Sequence, residues 1–343
     1  MINETLEPAS SKPLVIITGA TGAIGPRVVH ALYHAGCRIR TFSVDAPASG
    51  MFPPHVDVII GDVTKKADVE SAMQGVDAVV HLAALLHIVN PLPDMREKYE
   101  FINVGGTANI VDAAIVAGAM RIVFFSTIAV YGQAGGCVLD EQSLARPDTI
   151  YAQTKLAAEE IVLKAKGRDG QPLGTVLRLG AIYGSRIKGN YERLTRALAR
   201  NRFIPVGNGL NRRTLVYDKD VGRAAVLAVS HPAAAGKIFN VTDGAFHTLN
   251  EIIESICSAL GRKPPRLSLP CGIIRSVAGA IEGGYRIFGL TSPVTPEMVD
   301  KYTEDIAVNG NLMQKELGFT PQYDLQTGWH ETINEMKYIG HLR

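Results

Sequence analysis

A tyrosine and a lysine four positions apart, Tyr151 and Lys155, are the pair in this sequence with the clearest chemical potential. In a helix the two side chains lie on one face, one turn apart. An ammonium group there favours the ionised phenolate electrostatically, and such a tyrosine can exchange a proton with an alcohol or a carbonyl group. A surface pair is the commoner reason for this spacing, but Thr127 follows the tip of a predicted strand. We therefore predict that Thr127, Tyr151 and Lys155 are catalytic.

A second chemical pattern consists of glycines at positions 19, 22 and 25, between a buried strand predicted over residues 14–17 and a helical pattern. Strand, glycine turn and helix in this order indicate a phosphate-binding loop, because the helix N-terminus offers free N–H groups. The first glycine permits a tight turn, the second lets the backbone approach a pyrophosphate, and the third lets helix and strand pack closely. The residues of this loop that we predict to bind a dinucleotide are Gly19, Thr21, Gly22, Ala23, Ile24 and Gly25.

The elements that position these groups alternate between strands and helices. The predicted elements after the first helix are strands over 37–45 and 56–60, a helix over 66–74, a strand over 78–84, a long helix over 95–117 and a strand over 121–125. This alternation predicts an α/β fold with a Rossmann-type, doubly wound parallel sheet. The carboxyl ends of the strands line the ligand site in such sheets, so we expect Ser126 and Thr127 to contact the substrate.

The end of the second strand determines which dinucleotide is bound. Asp45 lies 20 residues after Gly25, near the position where an acidic residue binds the ribose hydroxyls of NAD. Ser43 could take that position instead, and Arg40 could favour the 2′-phosphate of NADP. We predict NAD with Asp45 as a ligand, and we leave NADP open.

The chain length predicts more than one lobe, because 343 residues exceed the usual size of a single core. We expect a tail at 1–12 and a cofactor domain at 13–178, with a return segment at about 213–232. A smaller, mixed substrate-binding lobe then comprises 179–212 and 233–343.

The composition excludes several functions. The formal net charge of +2 gives no electrostatic case for nucleic acid or an anionic membrane. The four cysteines form no C-x-x-C pair, which predicts a reducing cytoplasm and no metal site. The apolar stretch 269–290 is too charged to span a bilayer, although an interfacial helix stays open.

These patterns follow the order of motifs in a known protein family. They are T-G-x-x-G-x-x-G at 18–25, G-D-V at 61–63, H-L-A-A at 81–84, N-V-G-G-T at 103–107, S-T-I-A-V-Y-G at 126–132 and the Y-x-x-x-K pair. In them the sequence resembles the extended short-chain dehydrogenase/reductase family, the NAD-dependent epimerase/dehydratase group, with a pattern nearest to bacterial UDP-sugar 4-epimerases. The resemblance covers residues 13 to about 336, with Leu179 and Ser185 in place of two usual prolines.

The resemblance implies further cofactor contacts, a homodimer and a Ser/Thr–Tyr–Lys mechanism. The additional residues that it assigns to the cofactor are Asp62, Val63, Leu82, Ala83, Ala84, Asn103 and Lys155. Family members that dehydrate sugars carry an Asp-Glu pair directly after the catalytic threonine. Here those positions are Ile128 and Ala129, and an apolar pair cannot supply acid/base chemistry. This argues against dehydration.

Two functions then remain. The resemblance places Asn190 near the uridine and Arg213 near the diphosphate of a UDP-sugar, and the forked guanidinium suits two phosphate oxygens. We predict an NAD-dependent 4-epimerase of a UDP-hexose or a UDP-N-acetylhexosamine. The alternative is an NAD(P)-dependent dehydrogenase or reductase of a hydroxysteroid-like or other hydrophobic alcohol or ketone. This alternative rests on the apolar segment 269–299, which could contact a hydrophobic substrate. Such a segment more commonly forms a lobe core or a dimer contact.

Overall fold

The structure is a computed structural model, and it describes residues 12–86, 95–288, 290, 292 and 294–342. The tail predicted at 1–12 lies outside these residues except for Lys12.

In the described residues the strands are short and mostly buried. They are β1 (Leu14–Thr18), β2 (Arg38–Ser43), β3 (Asp57–Ile60), β4 (Ala78–His81), β5 (Arg121–Thr127), β6 (Val138–Leu139), β7 (Gly174–Leu179), β8 (Ala181–Tyr183), β9 (Arg212–Arg213), β10 (Leu215–Tyr217), β11 (Lys237–Val241), β12 (His247–Thr248) and β13 (Ala307–Val308).

The helices of the described residues follow the same alternation. They are α1 (Gly25–His34), α2 (Lys66–Ala72), α3 (Met95–Tyr99), α4 (Gly106–Ala117), α5 (Ile150–Lys164), α6 (Asn190–Ala199), α7 (Asp218–Ser230), α8 (Leu249–Leu260), α9 (Cys271–Ile287), α10 (Pro296–Thr303), α11 (Asn311–Leu317) and α12 (Leu325–Tyr338). A π-helix (Glu100–Gly105) joins α3 to α4, and single 3₁₀ turns occupy Ile128–Tyr131 and Pro232–Ala234.

Seven strands form the central sheet in the order β11-β7-β5-β4-β1-β2-β3. Strand β1 lies between β2 and β4 and is parallel to both, with Thr18 paired to Phe42 on one side and to His81 on the other. Every residue of β1 and β4 is buried, as expected for central strands covered on both faces. The predicted Rossmann-type α/β fold is therefore confirmed.

Two strands end earlier than the sequence pattern predicts. Strand β2 ends at Ser43 rather than 45, and β4 ends at His81 rather than 84. After His81 the Leu82 N–H still bonds to the Thr18 carbonyl at 3.2 Å, but the Leu85 N–H donates to Asn103 Oδ1 at 2.7 Å. Beyond β4 the backbone of this apolar segment therefore stops pairing with the neighbouring strand and bonds to a side chain of the following helix. Hydropathy alone cannot reveal this change of partner.

The long helix predicted over 95–117 is present, with the π-helix in its middle. At its start α4 packs against the turn after β3. A Cβ on Gly106 would lie 2.8 Å from Val63 Cγ2, so close packing explains a glycine that would otherwise weaken the helix.

The chain divides into two compact units. The first comprises Met1–Phe125, Ala157–Val176 and Ala225–Lys237, and the second comprises Ser126–Leu156, Leu177–Ala224 and Ile238–Arg343. The return segment predicted at 213–232 is divided within α7, since its part before Ala225 belongs to the second unit.

An aromatic cluster forms the core of the second unit. The Trp329 and Tyr183 rings stack with centroids 4.6 Å apart, and Tyr217 lies 5.3 Å from Tyr183. These contacts pack α12 against β8 and β10. The apolar segment predicted at 269–299 adds little to this core, because α9 buries only Ala278 and α10 buries only Val299. Of the two expectations for this segment, a lobe core or a dimer contact, the burial of α9 does not support the lobe core, and the dimer contact stays a prediction. None of the described helices is long and apolar enough to cross a membrane.

Candidate active site

The glycine turn after β1 has the backbone geometry predicted for it. Gly19 has a φ of +66°, and a Cβ there would lie 2.8 Å from the Ala83 backbone. At Gly25 an added Cβ would lie 2.1 Å from the Ala20 carbonyl oxygen. Neither position can hold a side chain without moving backbone atoms. Gly22 differs, because an added Cβ there would meet only the Gly19 carbonyl oxygen, at 3.1 Å.

The turn leads into a helix that has no side-chain cap. Helix α1 begins at Gly25 with no side-chain hydrogen bond at its N-cap and no acidic residue in its first turn. Backbone N–H groups at a helix N-terminus need an acceptor, and a phosphate supplies one. The open side of Gly22 and the uncapped helix together fit the pyrophosphate of a dinucleotide.

A buried hydrogen-bond chain fixes this turn, and the sequence analysis found only part of it. Thr18 Oγ1 lies 2.6 Å from His81 Nδ1, and His81 Nε2 lies 3.0 Å from Thr107 Oγ1. The Thr107 hydroxyl donates to the Asn103 carbonyl at 2.6 Å, so it accepts from His81. The imidazole proton is thereby assigned to Nε2. The Thr18 hydroxyl then donates to Nδ1 and accepts the Ala83 N–H at 3.2 Å.

Other predicted cofactor residues hold the backbone of the loops that follow β3 and β4. The Asn103 amide bonds to both the N–H and the carbonyl of Leu85, at 2.7 and 3.2 Å. Asp62 Oδ1 accepts from the N–H and the hydroxyl of Thr64, at 2.9 and 2.8 Å. The Val63 carbonyl accepts from Asn109 at 3.0 Å. Leu82 to Ala84 follow β4 directly.

The end of β2 bears on the choice between NAD and NADP. Arg40 already uses two of its three nitrogens, because its Nε donates to Asp57 at 2.7 Å and its Nη1 donates to the carbonyls of Ala72 and Gln74, at 2.9 and 2.7 Å. These bonds disfavour a role for Arg40 in binding a 2′-phosphate. Ser43 is buried at the end of β2, and its Oγ accepts the Thr21 N–H at 3.3 Å. Asp45 lies two residues further on and is exposed.

The predicted catalytic residues all lie in the second unit. Helix α5 begins at Ile150, and Thr149 Oγ1 accepts the Ala152 N–H at 3.2 Å as an N-terminal cap. Tyr151 and Lys155 therefore lie one turn apart on one helix. Lys155 is only 3% exposed. A buried ammonium costs free energy unless it is paired, and Lys155 is among the described residues that have an interaction partner.

Thr127 is the last residue of β5, and it is partly exposed, whereas the neighbouring Ser126 is buried. Thr127 Oγ1 accepts the Ala129 N–H at 3.2 Å. This bond uses an oxygen lone pair, so the hydroxyl proton is left to donate to a substrate oxygen.

A buried polar network supports the turn after Thr127, and the sequence analysis missed it. The Tyr131 hydroxyl donates to Asn240 Oδ1 at 2.8 Å, and the Asn240 N–H donates to Glu141 at 2.7 Å. The Arg178 guanidinium lies 4.8 Å from the centre of the Tyr131 ring. Burial raises the pKa of Tyr131 and of Glu141. More than one hundred positions separate Tyr131 from Asn240, so no local motif could reveal this contact.

Arg213, which is predicted to bind the substrate, and its neighbour Arg212 have different environments. Arg212 is bound to Asp305 through Nε and Nη2, and Nη2 also donates to the Gly136 carbonyl at 2.8 Å. Arg213 uses Nη2 to bind the carbonyls of Lys301 and Tyr302, at 2.7 and 2.8 Å. In the described part of the chain no hydrogen bond occupies its Nε or Nη1. Arg213 is therefore oriented and retains donors.

The positive charge of Arg213 acts on Tyr191, a residue of α6. Burial raises the pKa of Tyr191 to about 12, although the positive charge of Arg213 partly opposes that rise. Asn190, the other predicted substrate residue, is exposed at the start of α6, and its side-chain oxygen accepts from Arg193 at 2.7 Å.

One histidine has an acidic partner that the sequence analysis did not find. His247 Nε2 lies 2.7 Å from Asp243. Burial opposes protonation, but the hydrogen bond and the charge of Asp243 outweigh it and raise the pKa of His247. Among the described residues, no group of three or more His, Cys, Asp or Glu side chains is arranged to hold a metal ion.

The fold and the glycine turn define an NAD(P)-dependent enzyme of the Rossmann class. Residues 15–242 match the model of the NAD dependent epimerase/dehydratase family. The chain belongs to this family, and its enzymes are of the extended short-chain dehydrogenase/reductase type with NAD as the cofactor.

The chain is similar over most of its length to proteins with different activities. It is 27% identical over 331 residues to the UDP-glucose 4-epimerase of Vibrio cholerae, covering 93% of this chain and 94% of that protein. It is 24% identical over 331 residues to a 3 beta-hydroxysteroid dehydrogenase/Delta 5-->4-isomerase of Mycobacterium tuberculosis, covering 93% and 89%. The solved structure of MoeE5 in complex with UDP-glucose and NAD superposes with a TM-score of 0.75 at 26% identity, covering 95% and 99%.

The contrast between Gly22 and Gly25 allows a test of the cofactor loop. We expect Gly22→Ala to raise the Kd for NAD about tenfold or more, because its methyl group occupies the approach of the pyrophosphate. Its melting temperature should change little, since only the Gly19 carbonyl oxygen, at 3.1 Å, opposes the methyl group. Gly25→Ala should instead destabilise the fold by about 2 kcal/mol or more. NAD titration and thermal unfolding separate the two effects, and unaltered NAD affinity in Gly22→Ala would contradict the assignment.

Proposed function

We propose that this protein is a nucleotide-sugar 4-epimerase that acts on a UDP-hexose or a UDP-N-acetylhexosamine. The observation that carries the proposal is the environment of Arg213. Two carbonyls orient its guanidinium through Nη2, while its Nε and Nη1 N–H groups make no hydrogen bond within the described residues and can donate to a ligand. Such a group suits a diphosphate, whereas a hydrophobic alcohol offers it no partner. The similarity to the UDP-glucose 4-epimerase of V. cholerae supports the same choice.

The proposed reaction oxidises the sugar at C4 and reduces it again from the opposite face. NAD supplies the reversible hydride acceptor that this chemistry requires. Tyr151 takes the proton of the 4-hydroxyl group as the C4 carbon becomes a ketone, and it returns that proton to the oxygen on reduction. Lys155 stabilises the phenolate by its charge. Thr127 donates its hydroxyl proton to the same sugar oxygen.

The residues after Thr127 restrict the reaction to this pair of steps. Ile128 is buried and apolar, and Ala129 carries no titratable group. Neither can protonate a leaving hydroxyl or remove a proton from carbon. The keto-sugar is then reduced rather than dehydrated, so the reaction produces no net change in NAD.

The second candidate is a dehydrogenase of a hydrophobic alcohol. It is favoured by the similarity to the M. tuberculosis hydroxysteroid enzyme and by the apolar residues that α9 exposes. The same three catalytic residues would serve it, but the substrate would be consumed with stoichiometric reduction of NAD. The two functions therefore differ in their cofactor balance.

The first test incubates the purified protein and NAD with UDP-glucose or UDP-N-acetylglucosamine. We expect the sugar to interconvert with its C4 epimer, as followed by NMR, without accumulation of NADH. Tyr151→Phe should lower turnover about 10²- to 10⁴-fold, because it removes the proton acceptor, while NAD binding is retained. If no UDP-sugar changes while a hydroxysteroid or similar alcohol reduces NAD stoichiometrically, the epimerase proposal fails.

The second test concerns substrate binding by Arg213. We expect Arg213→Ala to raise the KM for the UDP-sugar about tenfold or more, because a charge-assisted contact to phosphate is lost. Arg200→Ala is a matched control, because it removes the same charge and side-chain length from an exposed position at the end of α6. Steady-state kinetics on both variants should show the effect at Arg213 alone. Equal KM values in the two variants would remove Arg213 from the substrate site.

A further inference from the structure

Helix α9 is exposed along an apolar face. Of its 17 residues, only Ala278 is buried. Ile273 is 60% exposed, Val277 49% and Ile281 37%, and Phe288 directly after the helix is 78% exposed. Large apolar side chains of this kind, grouped on one surface, mark an interaction site.

The spacing of these residues makes the face continuous. At 100° per residue, Ile273, Val277, Ile281 and Phe288 fall within an arc of about 80°. The charged residues of α9 (Arg275, Glu282 and Arg286) lie on the opposite side of the helix. The helix is therefore amphipathic, with its apolar side directed to solvent.

Contacts with α10 hold the helix in this orientation. Arg275 Nε donates to Asp300 of α10 at 2.9 Å, and a Cβ on Gly279 would lie 3.6 Å from Pro296. Both contacts leave the apolar arc uncovered. The apolar arc therefore faces solvent, unlike that of a helix that supports a core, and the charged side chains on the other side of α9 are partly exposed as well.

Basic residues flank the apolar face. Arg262, Lys263 and Arg266 are exposed in the segment that leads into α9. This segment is anchored at Leu269, which pairs with the backbone of Pro205 and Gly207 at 2.9 Å in both bonds. The three basic side chains of the segment carry a charge of +3, whereas Arg275 and Arg286 lie on the side of α9 away from the apolar arc and pair with Asp300 and Glu282. Since the whole chain carries +2, the chain outside the basic segment carries −1.

This charge distinguishes between possible occupants of the surface. A second copy of the chain would bring another basic segment of charge +3 against the first, which opposes association through this face. A nucleic acid would meet the charge but not the aliphatic side chains. An anionic lipid surface meets both, because headgroups attract the basic residues and the acyl boundary accepts the apolar face.

We propose that α9, Phe288 and the basic segment 262–266 form a docking surface for anionic membranes, on which α9 lies in the plane of the interface. The inference does not depend on the proposed reaction. It identifies a surface by which the enzyme would be recruited to lipid without a spanning helix.

Vesicle co-sedimentation tests the docking surface. We expect the full-length protein to bind vesicles of phosphatidylglycerol and phosphatidylcholine, and to bind pure phosphatidylcholine vesicles far more weakly. Val277→Glu should lower the partition coefficient about tenfold or more, because it removes apolar burial and places a carboxylate in the interface. Ser276→Glu is the matched control, because it makes the same change in charge at the adjacent exposed position outside the apolar arc. It should retain most of the binding.

The basic segment gives an independent arm. Replacing Arg262, Lys263 and Arg266 by Gln should weaken binding to anionic vesicles about 100-fold, at about fivefold per lost charge. Circular dichroism and NAD binding should show that every variant is folded. Equal vesicle binding by Val277→Glu and Ser276→Glu would overturn the proposal. So would absence of vesicle binding by the wild type, or a loss of self-association in Val277→Glu measured by ultracentrifugation without lipid.

Discussion

The hydrogen bond between Thr18 and His81 is the interaction on which the cofactor loop depends. It joins the carboxyl ends of β1 and β4, which are adjacent in the sheet, and it lies in a fully buried position. Because Thr107 receives the other imidazole N–H, helix α4 is tied to the same point. A buried imidazole with both nitrogens paired is rigid. The residue that precedes the glycine turn is therefore held in place. The close approach of the turn to Ala83 is possible only with glycine at position 19.

Much of this arrangement could be predicted from the sequence. The alternation of apolar runs and helical patterns indicated the sheet, and the spacing of the glycines indicated the turn. The spacing of the tyrosine and the lysine likewise indicated that they lie one helical turn apart. What the sequence could not supply were contacts between distant positions. The sequence leaves Arg40 open as a phosphate ligand, because its bonds to Asp57, Ala72 and Gln74 join positions far apart in the chain. The bond between Tyr131 and Asn240 likewise has no local sequence signal.

The apolar segment at 269–299 shows a different limit. Hydropathy indicated a helix with an apolar side but not the direction in which that side faces. In the structure Arg275 pairs with Asp300 of α10 on the side of the helix away from the apolar arc, and the arc faces solvent. Net charge was similarly uninformative, because the value for the whole chain conceals a basic region of opposite sign to the rest. The proposed docking surface is therefore not apparent from whole-chain averages.

In the proposed reaction Tyr151 moves only the oxygen-bound proton, while the hydrogen on C4 leaves and returns as hydride. A UDP-hexose labelled with deuterium at C4 tests this division directly, with the product analysed by NMR in ordinary water. We expect the C4 epimer to form and to keep its deuterium at C4. Replacement of that deuterium by solvent hydrogen, or failure of the epimer to form, would contradict it.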